Sequence, residues 1–74
     1  MATQIVMDRT GDTRHEFDVT NPEALTGAEE RFRELTGKGF RAVALSGDGG
    51  PGKLVDKFDP RVEQTLFIPQ LQGG

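Results

Sequence analysis

The chain of 74 residues contains no cysteine and a single histidine, His15. The absence of cysteine excludes disulfides, thiolate catalysis and zinc–thiolate sites, and one histidine is too few for a histidine-rich metal centre. We therefore expect neither a metal site nor a bound cofactor. A domain of this size buries only about 60% of its unfolded surface, so one small core has to stabilise it without cross-links.

Long apolar runs and clusters of positive charge are also missing. Nine basic residues stand against twelve acidic ones, giving a net charge of −3, and no segment concentrates Lys or Arg as a nucleic-acid-binding surface does. The first fifteen residues hold no apolar stretch long enough for a signal peptide. We therefore expect a cytoplasmic protein that binds neither nucleic acid nor membranes.

The first two segments predict a β-hairpin. Residues 3–7 favour a strand, and residues 8–12 (DRTGD) supply the Gly and Asp that are typical of a tight turn. Beyond the turn, His15, Phe17 and Val19 alternate with charged residues, which predicts a strand with one buried face. This pattern places His15 on the core face or at its edge and makes it a structural histidine.

A single amphipathic helix is predicted after the hairpin. Asn21 and Pro22 form a helix-entry pair, although the capping-box sequence TGAE over residues 26–29 offers a second start. The helix is expected to end near Thr36, where two glycines supply the stop. Its apolar stripe at helical spacing consists of Leu25, Ala28, Phe32 and Leu35.

Three further strands are predicted after the helix. Residues 40–45 (FRAVAL) are almost continuously apolar after Arg41, which favours a strand buried on both faces or placed at the sheet centre, and predicts an inner strand. Residues 53–58 are expected to form a strand with Leu54 and Phe58 pointing inward, and residues 64–68 a last strand. One helix can cover one face of such a mixed sheet, so the predicted fold class is α+β in two layers.

The glycine-rich segment before the fourth strand matches GxxxxGK, the spacing of a phosphate-binding loop, from Gly47 to Lys53. The next residue is Leu54 rather than Ser or Thr, and a strand rather than a helix is expected to follow. The motif therefore lacks the Mg²⁺-binding hydroxyl and the helix N-terminus that holds the phosphates. We predict a flexible loop and no nucleotide site.

Catalytic constellations are not recognisable in the sequence. With one histidine and no cysteine, a hydrolase would lack partners of the known triads. The acidic residues are more simply explained as surface charge, and Glu29 stands four residues before Arg33, as in a helix ion pair. We expect a protein that is not itself an enzyme.

The sequence ends in LQGG after the last predicted strand. Glycine has no Cβ atom, so a carboxylate preceded by two glycines can enter a narrow active-site channel in extended form. The alternative from the residues alone is an inert, frayed tail, because chain ends concentrate disorder. We divide the chain into a folded domain over residues 1–69 and a flexible tail over residues 70–74.

The element order and the sequence QTLFIPQLQGG over residues 64–74 resemble the β-grasp ubiquitin-like superfamily. The resemblance implies a mixed sheet of four to five strands with one helix packed on one face. For a modifier of bacterial type, it implies that a partner adenylates the Gly74 carboxylate, which is then transferred to a target amine to form an isopeptide bond. The site of activation and conjugation would be Gly73 and Gly74, and the partner would recognise Leu71 and Gln72, although ubiquitin has arginine where this chain has Gln72.

The resemblance also leaves other functions open. Sulfur carriers of the superfamily convert the terminal carboxylate to a thiocarboxylate, and Phe67-Ile68-Pro69 is similar to the residues before the glycine pair in molybdopterin-type carriers. A non-covalent interaction module with an inert tail is the third function. The partners implied for a modifier are an activating enzyme, a conjugating enzyme, a deconjugating protease and a target protein. The candidate acceptor lysines are Lys38, Lys53 and Lys57.

Overall fold

The structure, a computed structural model, describes residues 1–45, 50 and 52–69. These residues form five strands and one helix, in the order predicted from the sequence. The elements are β1 (Ala2–Asp8), β2 (Gly11–Phe17), α1 (Pro22–Gly37), β3 (Phe40–Leu45), β4 (Lys53–Val55) and β5 (Gln64–Pro69).

The strands form one mixed sheet in the order β2-β1-β5-β3-β4. β1 and β5 run parallel, from Thr3↔Gln64 to Val6↔Phe67, and the other neighbouring pairs are antiparallel. The last strand along the chain therefore lies at the centre of the sheet. α1 packs on one face, so the predicted α+β class and the β-grasp arrangement are confirmed.

The predicted hairpin between β1 and β2 is confirmed. Asp8 and Gly11 are register partners, which leaves a two-residue turn between the strands. The carboxylate of Asp8 accepts hydrogen bonds from the amide of Thr10 at 2.8 Å and from its hydroxyl at 2.6 Å. Gly11 has a φ of +125°, a conformation that side chains rarely adopt, so this turn depends on glycine.

The helix begins at the first of the two predicted starts. The side-chain oxygen of Asn21 accepts hydrogen bonds from the amides of Glu23 and Ala24, which have no partner within the helix. Thr26 lies inside the first turns, where its hydroxyl donates to the carbonyl of Pro22 at 3.0 Å. The capping-box sequence is therefore part of the helix interior rather than a second start.

The helix ends at Gly37, one residue beyond the predicted end. The amide of Lys38 donates to the carbonyls of Glu34 and Leu35, at 3.1 Å each. Gly39 then adopts a φ of +100°, and β3 begins at the next residue. The second of the two glycines predicted to stop the helix thus provides the left-handed residue that turns the chain.

A small aromatic cluster fills the space between α1 and the sheet. Phe67 of β5 is fully buried, and its ring meets the ring of Phe32 edge-on with centroids 5.6 Å apart. Phe58 joins them at 6.1 Å from Phe32 and 6.2 Å from Phe17. The buried apolar residues are Ala2, Val6, Phe17, Ala28, Phe32, Ala42 and Phe67.

The predicted core positions of the helix and of β2 are confirmed. Ala28 and Phe32 are buried, and the other two members of the helical stripe, Leu25 and Leu35, pack against the core. Val19 also packs against the core, although it lies beyond the end of β2. The helical spacing therefore identified the face that meets the sheet.

Two buried residues, Gln4 and Thr65, are polar, and the burial of Gln4 was not predicted. Gln4 of β1 is fully buried between the sheet and α1. Its side-chain nitrogen donates to the carbonyl of Ala28 at 3.0 Å, and its oxygen accepts from Nη1 of Arg31 at 2.8 Å. Because its nitrogen and its oxygen both have partners on the helix, Gln4 can be buried without a large desolvation penalty.

The prediction for β4 is wrong in length and in the orientation of Leu54. The strand covers only Lys53–Val55, and Leu54 is 64% exposed rather than inward. Leu54 is the register partner of Val43, which lies on the face away from α1, so the neighbouring Val55 packs on the core instead. Phe58 is inward as predicted, but from the segment after the strand.

The prediction of an inner strand for β3 is confirmed, and of its two alternatives, burial on both faces or a place inside the sheet, the structure shows the second. β3 is an inner strand between β5 and β4. Of its residues only Ala42 is buried, whereas Val43 and Leu45 on the opposite face are partly exposed. Among the described residues no second layer covers that face, so the strand is not buried on both sides.

Replacement of Phe32 by alanine is expected to lower the free energy of unfolding by about 3–5 kcal/mol, because it removes the ring that contacts Phe67 and Phe58. Chemical denaturation measures this loss. Leu54→Ala is the control and should change stability by less than about 0.5 kcal/mol, since Leu54 is exposed. A loss below about 1 kcal/mol for Phe32→Ala would contradict its place in the core.

Replacement of Gln4 by leucine is expected to cost about 1–3 kcal/mol, although leucine is apolar and of similar size. The change removes two hydrogen bonds that tie β1 to α1. The matched control is Gln64→Leu at an exposed position of β5, which should stay within about 0.5 kcal/mol of the parent. Equal denaturation midpoints for both variants would show that the contacts of Gln4 do not stabilise the fold.

Candidate functional site

β5 leads from the centre of the sheet toward the predicted tail. Its pairing with β1 ends at Val6↔Phe67, whereas its pairing with β3 continues to Phe40↔Pro69. Among the described strands, only β3 therefore pairs with the last two residues of β5. The predicted site residues Leu71, Gln72, Gly73 and Gly74, and the whole predicted tail over 70–74, lie outside the described residues.

The face of the sheet opposite α1 carries a continuous apolar surface, which we call the open face. Residues of the open face alternate along each strand with the buried residues that point toward the helix. One row crosses four neighbouring strands in register, from Ile5 through Leu66 and Val43 to Leu54. The open face consists of Ile5, Met7, Val43, Leu45, Leu54, Leu66 and Ile68.

Arginine side chains border the open face. Arg14 of β2 is the register partner of Ile5 and extends the apolar row to the edge of the sheet, where its Nε lies 3.8 Å from a carboxylate oxygen of Asp12. Arg41 is the register partner of Ile68. An exposed apolar patch with a polar rim is typical of a protein-binding surface, and guanidinium groups suit a partner that carries carboxylates.

The sequence contained a signal for the open face. In β1 and β5, neighbouring residues are both apolar, as in Ile5 beside Val6 and Leu66 beside Phe67, so each strand carries apolar side chains on both faces. In a sheet with helices on both sides this pattern indicates burial, but α1 covers one face of this sheet. The second set of apolar residues then lies on the face that no other described element covers.

The three candidate acceptor lysines lie on different elements and are all exposed. Lys38 follows the end of α1, and its ammonium group lies 3.0 Å from a carboxylate oxygen of Glu34. Lys53 is the first residue of β4, and Lys57 lies two residues beyond that strand. Their role as acceptors stays a prediction.

His15 lies at the edge of the core, close to the contact between Gln4 and Arg31. It is the register partner of Gln4 and is partly buried. Burial, and secondly the positive charge of Arg31, lower the pKa of His15 below its ordinary value. The side chain is therefore neutral at pH 7, in agreement with the structural role predicted for it.

Three exposed carboxylates act as turn residues rather than as acids or bases. Asp8, Asp18 and Asp59 each accept hydrogen bonds from the side chain and the amide of the residue two positions later. These bonds, the side-chain bond first, lower the pKa of all three carboxyl groups. A general acid that works near neutral pH needs a raised pKa, so these groups do not fit that role.

Of the glycine-rich motif, the structure describes Gly50, Gly52 and Lys53. Lys53 begins β4, so the strand predicted after the motif is confirmed, and a helix N-terminus does not follow it as in a phosphate-binding loop. Over residues 1–45, 50 and 52–69, no three His, Asp or Glu side chains are grouped to hold a metal ion. In the same part of the chain, no helix has the length and apolar character needed to cross a bilayer.

A comparison with protein-family models, with curated proteins and with solved structures finds no significant match to this chain. The assignment of the fold therefore rests on the strand order, the parallel pairing of β1 with β5 and the single helix on one face.

The stability of the protein is expected to fall as the pH is lowered from about 7.5 to about 5. The pKa of His15 is lower in the folded state than its ordinary value of 6.5, so the unfolded chain binds the proton more tightly. The contribution of His15 is complete above pH 6.5 and is lost as the pH falls through the folded-state pKa. Unfolding free energies measured across this range test the slope.

The control for the pH series is His15→Gln, which removes the titrating group. Its unfolding free energy should vary less over the same range than that of the parent. The lowered pKa values of the carboxylates act at more acidic pH, so they do not obscure the comparison above about pH 5. Identical slopes for parent and variant would contradict the assignment.

Proposed function

We propose that this protein is a ubiquitin-like modifier whose Gly74 carboxylate is activated by a partner enzyme and transferred to an amine of a target protein. The observation that carries the proposal is the position of β5. A strand at the centre of a β-grasp sheet leads, within a few residues, to the sequence Leu71-Gln72-Gly73-Gly74. The proposal requires Gly74 to carry the free carboxylate, either as translated or after trimming of a precursor.

The proposed chemistry consists of two displacements. A carboxylate oxygen of Gly74 attacks the α-phosphorus of ATP in the activating enzyme, and pyrophosphate leaves with the electrons of the broken P–O bond. The nitrogen of a target amine then attacks the carbonyl carbon. AMP leaves from the acyl adenylate and the amine proton passes to a base of the partner, so that an isopeptide bond is formed.

The glycine pair fits this chemistry because the acyl carbon has to reach the catalytic centre of another protein. Without Cβ atoms, Gly73 and Gly74 can adopt extended conformations in a channel that larger residues cannot enter. The folded domain supplies the second requirement, a surface by which the partner holds the protein. The open face supports this part of the proposal, since its apolar row ends at an arginine on the β2 side.

A sulfur carrier is the alternative with the same activation step. In that function the acyl adenylate reacts with a sulfur donor and Gly74 becomes a thiocarboxylate. The similarity of residues 67–69 to the molybdopterin-type carriers is one of sequence, and in this chain the ring of Phe67 is fully buried in the core. A partner that reads this segment would meet Ile68 and Pro69 but not the aromatic ring.

A non-covalent interaction module is the third candidate function, and the open face is the observation that favours it. Met7 and Leu54 are 44% and 64% exposed, respectively. Over residues 1–45, 50 and 52–69, no other element covers the seven apolar residues of this face, and a partner can bury them without any chemistry at the tail. This function requires the open face and does not require Gly73 or Gly74.

Replacement of Gly74 by alanine is expected to leave the unfolding midpoint unchanged and to abolish transfer, because the added methyl group lies next to the reacting carbon. An N-terminally tagged protein is incubated with ATP and a lysate of its source organism, and covalent adducts are followed by mass. Gly27→Ala is the matched control: a Cβ atom at this helical position meets no atom within 4 Å, so adducts should persist.

The masses of the products separate the candidate functions. A modifier gives adducts that carry a whole target protein, whereas a sulfur carrier gains about 16 Da when sulfur replaces oxygen at Gly74. Deletion of Gly73 and Gly74 should abolish both products. If the shortened protein kept its full cellular activity, both covalent functions would be wrong and the interaction module would remain.

A further inference from the structure

The sulfur chemistry of this chain is confined to two methionines. The sequence contains Met1 and Met7 and no cysteine, so their thioethers are its sulfur groups. Peroxides oxidise the sulfur of methionine to a sulfoxide, and exposure to solvent favours the reaction. Met1 is 79% exposed and Met7 is 44% exposed. Peroxide can therefore reach both side chains in the folded protein.

The two methionines lie in different surroundings. Met1 precedes β1 and lines a surface hollow together with Val19, Leu25 and Pro60. Met7 is near the other end of β1, about 20 Å away along an extended strand, and belongs to the open face. Of the two, Met7 is therefore the one whose oxidation changes the open face.

Met7 occupies a prominent position on the open face. Of the seven residues of this face, Met7 and Leu54 are exposed and the other five are partly buried. A partner that packs on the open face therefore buries much of the Met7 side chain. An unbranched thioether is flexible and polarisable, which suits a contact surface as long as the sulfur stays reduced.

A sulfoxide at Met7 would place a hydrogen-bond acceptor within this apolar surface. The register partner of Met7 on β2 is Asp12, whose carboxylate accepts hydrogen bonds and does not donate them. The carboxylate of the next residue, Asp8, is also an acceptor and is already bonded to Thr10. These neighbours cannot replace the water that a sulfoxide oxygen loses under a partner, so burial of the oxidised side chain costs free energy.

The folded core does not depend on Met7. Its neighbour Val6 points toward α1 and packs in the core, whereas Met7 points to the opposite face of the sheet. Oxidation of a buried methionine disrupts a core, but oxidation at this position should alter the surface and leave the domain folded. The effect on a partner can therefore be measured separately from oxidative damage.

We propose that Met7 is a reversible oxidation site that regulates the open face, so that hydrogen peroxide weakens the hold of the activating enzyme on this protein. The inference rests on the proposed function, in which that enzyme binds the open face while it activates Gly74. The reduced thioether is the binding-competent form, and the sulfoxide is the form with weakened binding.

The oxidation is a transfer of one oxygen atom from hydrogen peroxide. A lone pair of the Met7 sulfur attacks one peroxide oxygen, the O–O bond breaks and an S–O bond forms. The departing hydroxide takes the proton of the transferred oxygen and leaves as water, so sulfur loses two electrons and the peroxide gains them. A methionine sulfoxide reductase reverses the change with a dithiol as reductant, which becomes a disulfide while the oxygen leaves as water.

Peroxide treatment of the full-length protein tests the change of the surface. The parent and Met7→Leu are compared before and after treatment by mass mapping, unfolding midpoint and retention on a hydrophobic-interaction column. In the parent, Met7 should gain about 16 Da and retention should fall at an unchanged midpoint. Met7→Leu is the matched control, because leucine keeps the apolar surface and leaves Met1 as the methionine that peroxide can oxidise, so its retention should stay constant.

Adduct formation with ATP and a lysate of the source organism tests the regulation. The oxidised parent should form about tenfold fewer adducts or less, and mass mapping after the incubation confirms that Met7 is still oxidised. Peroxide-treated Met7→Leu should form as many adducts as the untreated parent. Met7→Gln carries a permanent polar group and should form few adducts without peroxide. Reductase treatment should restore adducts to the oxidised parent.

Several outcomes would overturn the proposal. These are the absence of oxidation at Met7 under peroxide that oxidises free methionine, unchanged retention after oxidation, and a lowered unfolding midpoint, which would indicate damage. Equal adduct formation by the oxidised and untreated parent would overturn the regulation alone. If the untreated parent formed no adducts, the proposed function would be wrong and the regulation with it, so the two failures are distinguishable.

Discussion

The contact between α1 and one face of the sheet is the interaction on which the rest of the structure depends. Its centre is the meeting of the rings of Phe32 and Phe67, closed from one side by Phe58. A chain of this length cannot build a second core, so the strands assemble where they can present small or apolar residues to this helix. The central position of β5 follows, because it carries the one fully buried aromatic residue.

The buried side-chain amide of Gln4 fixes the position of α1 on the sheet, which apolar packing alone does not. Packing of aliphatic and aromatic groups tolerates small sliding movements, whereas hydrogen bonds to the carbonyl of Ala28 and to Arg31 are satisfied at one position of the helix. The same contact holds the guanidinium of Arg31 against β1. One side chain therefore links the position of the helix to the position of this charge.

The local elements were predictable because their signals are local. The cap at Asn21, the turn glycine Gly11 and the helical spacing around Phe32 each follow from short-range geometry, and all three are observed. The predicted order of elements also indicated the α+β class, since one helix can cover only one face of a sheet of this size.

The wrong or missing predictions concern strand residues, whose side chains can point to either face of the sheet. Leu54 is apolar and lies in a strand, but the register with Val43 turns it to the open face, and register is not encoded in the strand itself. Gln4 was missed because a polar residue at a core position is recognisable only once its partners on the helix are known. For the same reason Arg31 carried no signal in the sequence.

The parallel pairing of β1 with β5 joins the segment around Thr3 to the segment around Gln64, with the whole hairpin, helix and β3–β4 unit between them. Contacts of such long sequence separation form late in folding, after the loop-closure entropy has been overcome. While β5 is still inside the ribosome, the nascent domain lacks its central strand and the ring of Phe67, which is fully buried in the folded protein. The domain can therefore complete its sheet only after Pro69 has left the ribosome.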